Sequence, residues 1–96
     1  MEKKTGKASF KVPKGKLVTA EVTYGSNIGR VKLTGDFFIH PEEGISVIES
    51  SIDGIAISSD EKDIAIAVQA AIDDNGIQVI GIDAKSIAKV VKMAMK

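Results

Sequence analysis

Arg30-Val31-Lys32-Leu33-Thr34-Gly35-Asp36-Phe37-Phe38 carries two signals in succession. From Arg30 to Thr34 polar and apolar residues alternate, the period of a strand with one buried face. Gly35 and Asp36 then interrupt the run where two of the chain's three phenylalanines appear. One ring can enter the core while its neighbour points the other way. Continued alternation assigns Phe37 to the apolar face and Phe38 to the opposite one. Phe38 therefore needs cover, either from the chain's own helix or from another protein.

Upstream, the same period of two recurs. Ala8, Phe10 and Val12 alternate with Lys7, Ser9 and Lys11, and Val18, Ala20, Val22 and Tyr24 alternate with Thr19, Glu21 and Thr23. These segments and the Arg30 strand predict an antiparallel meander with one shared apolar face. Its turns fall at Pro13-Lys14-Gly15-Lys16 and Gly25-Ser26-Asn27, where proline fixes φ and glycine and asparagine tolerate positive φ. The other face is basic, through Lys7, Lys11, Arg30 and Lys32.

Downstream, the period changes to about 3.6. Pro41 followed by Glu42 and Glu43 predicts the first turn of a helix running to about Ser51, with Ile45, Ile48 and Ile52 as its apolar stripe and Asp53-Gly54 as its stop. Ser58 and Glu61 have capping-box spacing and introduce a second helix, whose Ile64, Ala65, Val68, Ala71 and Ile72 share a side. Asn75-Gly76 ends it. Residues 77–82 read as a short strand or a buried connector. Asp83 caps a last helix that turns Ile87, Val91, Ala94 and Met95 inward and lines Lys85, Lys89, Lys92 and Lys96 along another face.

At 96 residues the chain is expected to be one domain, 1–96, with an α+β core of Ala, Ile and Val. The absence of cysteine excludes disulfides, thiolate nucleophiles and thiolate metal sites. No run approaches the roughly 18 to 20 apolar residues that span a bilayer, and the N-terminus has no apolar leader, so a cytoplasmic chain is expected. The net charge is zero but segregated. Residues 1–35 hold eight bases and two acids, residues 36–83 hold eleven acids and one base, and the last helix has four lysines and no acid. Such segregation favours a partner or ligand of complementary potential, although solvated faces give the same pattern.

Few residues suggest chemistry of their own. His40, the sole histidine, stands before Pro41 with no Ser or Cys nucleophile arranged around it. His40, Glu42 and Glu43 lie too close in sequence for a closed zinc site, and the Asp73-Asp74 and Asp60-Glu61-Lys62-Asp63 carboxylates fit solvent exposure and a helix start. The glycines form neither a Walker loop nor a dinucleotide fingerprint. The last-helix lysines lack exposed aromatics for base stacking, so nucleic acid is not the expected partner. No catalytic or metal-binding residue is expected on this chain.

Lys11-Val12-Pro13-Lys14-Gly15-Lys16-Leu17-Val18, Gly35-Asp36-Phe37-Phe38, the Pro41-Glu42-Glu43 helix start and Gly76-Ile77-x-x-Ile80-Gly81 together resemble the accessory C-terminal domain of lipoate-protein ligases. The resemblance covers most of the chain and is greatest to the archaeal bipartite form, in which that domain is a separate small subunit. It implies a SufE/NifU-like fold: a three-stranded antiparallel meander covered on one face by about three helices, with an extra short strand near 77–82. It also implies a non-catalytic subunit, required with a catalytic subunit for ATP-dependent activation of lipoate to lipoyl-AMP before transfer to lipoyl-domain lysines. ATP, Mg²⁺ and lipoate would then belong to the heterodimer and not to this chain. On this reading Lys14 and Lys16 are candidates for a cationic lid over the phosphates, and Asp36 and Phe38 for the partner interface. A scaffold or adaptor without a role in adenylation shares the same fold and apolar patch.

Overall fold

The computed structural model describes residues 3–13 and 16–95. Among these, the chain forms β1 (Lys4–Lys11), β2 (Leu17–Tyr24), β3 (Ile28–Gly35), β4 (Phe38–His40), α1 (Gly44–Ile52), α2 (Glu61–Asp74), β5 (Gln78–Ile80) and α3 (Ala84–Ala94). The fold is α+β. The first three strands make an antiparallel sheet in the order β1-β2-β3, and β4 and β5 pair in a separate two-stranded ribbon.

Alternation sorts the meander as its sequence requires. Val18, Ala20 and Val22 of β2 and Val31 and Leu33 of β3 are buried, while Glu21, Arg30, Lys32 and Thr34 stay in solvent on the other side. Helices cover the apolar side. Helix α1 packs on β3, α3 packs on β1 and β2, and α2 lies against both of these helices. Their contributions to the core are Ile48 and Ile52, Ile64 and Val68, and Ile87, Val90 and Val91. Each such side chain is worth about 1.5–3 kcal/mol when fully buried, so this one face holds the fold together.

Helix α3 sits unusually close to the sheet. A Cβ on Gly6 would lie 1.6 Å from the backbone oxygen of Ala94, so β1 and α3 can meet there only because Gly6 has no side chain. Asp83 accepts the Ser86 N–H at 2.8 Å and caps this helix, as expected from its sequence. Asp53-Gly54 and Asn75-Gly76 likewise end α1 and α2.

Two helix starts differ from the sequence reading. Helix α1 begins at Gly44, and Pro41, Glu42 and Glu43 form the turn before it. The Gly44 N–H bonds to the Pro41 carbonyl at 2.9 Å and the Ile45 N–H to that of Glu42 at 3.3 Å, so the turn closes through three-residue steps before the helix sets in. The Ser58–Glu61 capping box does not form. Asp60 is the N-cap of α2, without a side-chain hydrogen bond, and Ser58 belongs to the preceding turn.

Residues 78–80 resolve the remaining ambiguity as a strand. β5 pairs antiparallel with β4, matching Phe38 with Ile80, Ile39 with Val79 and His40 with Gln78. Among the described residues, no helix is long and apolar enough to cross a membrane.

Candidate functional site

Gly35 makes the corner at which the chain leaves the meander for the ribbon. Its φ is 147°, and a Cβ there would fall 2.1 Å from the Leu17 carbonyl oxygen. Only glycine fits. The same Leu17 oxygen accepts the Asp36 N–H at 2.9 Å, which ties the corner to the start of β2. The β1–β2 loop is closed by a bond from the Val12 N–H to the Lys16 carbonyl at 2.7 Å. Gly81 completes the assembly, because a Cβ on it would meet Lys16 Cγ at 3.3 Å, the Asp36 oxygen at 3.4 Å and Phe37 Cα at 3.5 Å. The three sequence strings around Lys16, Asp36 and Gly81 thus converge at one place in the fold.

The two phenylalanines divide there. Phe37 is half-buried and packs against the core. Phe38 is 77% exposed, and its cross-strand partner Ile80 is 63% exposed. Directly opposed residues of an antiparallel pair project to the same face, so Phe38 and Ile80 form one apolar patch, with His40 and Gln78 continuing that face. Leu17, 41% exposed, lies at the neighbouring strand start. Asp36 and Lys16 are exposed and bring one charge of each sign to the corner. Lys14 lies outside the described residues.

The sequence strings contain Ile80 and Leu17 but mark neither as a contact residue. The pairing of 38–40 with 78–80 joins segments about forty residues apart, and only that pairing reveals Ile80 as a neighbour of Phe38. The available signal was the ambiguous apolar run itself. Read as a strand with Ile77, Val79 and Gly81 inward, it places Ile80 outside.

Among the described last-helix lysines, Lys89 and Lys92 are engaged within the fold. Lys92 donates to the backbone carbonyls of Ile57 and Ser59 at 3.0 and 2.9 Å, fastening the α1–α2 loop to α3. The Lys89 ammonium stands 4.6 Å from the centroid of the Phe10 ring. Lys96 lies outside the described residues. Between α2 and α3 a hollow of about 600 Å³ is floored by Ala65, Ile66 and Ala84, with both signs of charge at its rim, and shares no lining residue with the Phe38 corner. Among the described residues, no group of three or more His, Asp or Glu side chains is placed to hold a metal ion.

The corner therefore offers a surface for contact: an apolar pair on a short ribbon, flanked by an acid and a base. No protein-family model matches the sequence, and no curated protein matches it significantly. In structure the chain is similar to one from an archaeal lipoylation system, comprising a bi-partite lipoate protein ligase and its E2 lipoyl domain from Thermoplasma acidophilum. The TM-score is 0.75 over 94% of this chain and 97% of the other, at 20% sequence identity. At that identity the likeness establishes a shared fold.

Proposed function

We propose that this chain is the non-catalytic accessory subunit of a two-chain lipoate-protein ligase, acting with the catalytic subunit in the ATP-dependent activation of lipoate to lipoyl-AMP. The observation that carries the reading is the exposed Phe38–Ile80 pair. Covering both side chains on a partner removes enough apolar surface for about 1.5–3 kcal/mol each, the scale of an interface anchor. The fold shared with a component of a lipoylation system supports the same reading. So does the sequence resemblance, which is to the accessory domain and calls for helices over an antiparallel sheet. That arrangement fits the accessory subunit, rather than the lipoyl domain, as the counterpart of this chain.

In this proposal the corner docks on the catalytic subunit, with Phe38 and Ile80 filling the contact and Asp36 setting its register. Lys16, with Lys14 beside it in sequence, then stands at the edge of that contact. Adenylation develops negative charge between the α-phosphate and the departing pyrophosphate, and ammonium groups closing over it in a water-poor site stabilise that charge. ATP, Mg²⁺ and lipoate are bound by the catalytic subunit. The activated lipoyl group passes from there to lipoyl-domain lysines, and this chain forms no covalent bond in either step.

Pyrophosphate release from ATP and lipoate tests the reading. The two chains together should release pyrophosphate, and either alone should not. A complex that forms without changing the rate would make the chain a scaffold, and absence of any complex would overturn the proposal.

A further inference from the structure

Beyond Ile28, whose N–H and C=O are already bonded to Ile55 and Gly54, the outer edge of β3 carries no fourth strand. It borders a groove of about 590 Å³ between Gly29–Leu33 and the side of α1 that carries Ile45, Ser46, Glu49 and Ser50, with Asp53 at the helix end. The Leu33 N–H points into this groove, away from β2, and donates to Glu49 Oε2 at 2.7 Å. In an antiparallel ladder the residues that turn their backbone groups outward alternate. Val31 and Leu33 thus both present N–H and C=O to the groove, and a side-chain carboxylate already occupies the place where a neighbouring strand's carbonyl oxygen would sit.

We infer that the β3 edge accepts an extended segment of a partner protein as a fourth strand of the meander, and that this segment alternates acidic with small apolar residues. The register supplies the pattern. On the outer face of the sheet Glu21 stands between Lys7 and Lys32, and Thr23 stands beside Arg30. The far sides of Lys32 and Arg30 face the vacant strand position. A strand added there places its outward side chains directly beside these two bases, where opposite charge is favoured and like charge is not. Its inward side chains meet the wall of Ile45, Ser46, Glu49 and Asp53, where an apolar residue fits and a further acid is repelled. A second copy of this chain is a poor occupant, because edge-to-edge pairing of β3 with itself brings Arg30 and Lys32 against their own kind. The incoming carbonyl replaces Glu49 on the Leu33 N–H, so no backbone donor loses its partner on binding.

This inference goes beyond the ligase reading and does not depend on it, because it concerns the opposite edge of β3 from β2 and needs neither Phe38 nor Ile80. The probe is a short peptide of alternating Glu and Val, blocked at both ends and titrated into the isotope-labelled full chain at low salt, with a Lys-Val peptide as its counterpart. Expected are slowed hydrogen exchange at the Val31 N–H, a shifted Leu33 N–H signal, and a preference of about tenfold for the Glu-Val peptide. The Arg30→Glu, Lys32→Glu double variant, changed only at exposed positions, should reverse that preference. Equal binding of the two peptides, or binding that leaves the Val31 and Leu33 amides unchanged, overturns the inference. Capture of a single-stranded RNA oligonucleotide at Arg30 and Lys32 in preference to the Glu-Val peptide also overturns it and makes the sheet face a phosphate-binding surface.

Discussion

Phe38 and Ile80 stand opposite each other across the β4–β5 ribbon and are both largely in solvent, while their neighbours Ile39 and Val79 turn inward against the core. The ribbon thus spends its inner face on the fold and leaves its outer face free for contact. Replacing either outer residue should separate folding from association.

On the proposed reading, Phe38→Ala and Ile80→Ser are each expected to weaken binding to the catalytic subunit by about 2 kcal/mol, or about thirtyfold in Kd. Thermal unfolding of the isolated chain should stay within about 0.5 kcal/mol of the parent, because the side chains removed are exposed. Calorimetric titration and melting curves read the two quantities separately.

Lys14→Ala combined with Lys16→Ala should slow lipoyl-AMP formation at saturating catalytic subunit by about tenfold while leaving the affinity between the chains unchanged. A single-turnover measurement isolates the adenylation step. An unchanged rate would remove the lid from the mechanism and leave the docking corner standing.

Gly6→Ala and Gly35→Ala should each cost about 3 kcal/mol, from forcing β1 away from Ala94 in the first case and from a blocked, positive-φ corner in the second. Urea unfolding should show a lower midpoint with an unchanged slope. For Gly35→Ala the loss should extend to partner binding, since the corner orients the ribbon.

Lys92→Met keeps the length of the side chain and removes its ammonium, so the carbonyls of Ile57 and Ser59 lose their shared donor. A destabilisation of about 2 kcal/mol is expected. Exchange of amide hydrogens should rise first in residues 55–60, the loop that Lys92 fastens.

Local pattern was sufficient for the elements whose partners lie nearby in sequence. The alternation of β1, β2 and β3 and the cap at Asp83 depend on residues a few positions apart, and each follows from its own segment. The start of α1 did not, because proline followed by two acids suits a first helical turn and the turn before it equally well. The capping box at Ser58 failed for a similar reason, with Asp60 competing for the same role two residues later. The candidate site was half legible. Strand parity places Phe38 outside, whereas Ile80 becomes its partner only through a long-range pairing, and the engagement of Lys92 depends on a loop more than thirty residues away.

The β4–β5 ribbon shares no hydrogen-bonded ladder with the three-stranded sheet. If the ribbon docks as proposed, partner choice is written on a segment whose outer positions are free to drift, because replacing one exposed side chain there alters neither the register of the main sheet nor the packing beneath it. A chain built this way can follow a changing partner through successive single substitutions, each neutral for folding, and can exchange one specificity for another without passing through an unstable intermediate.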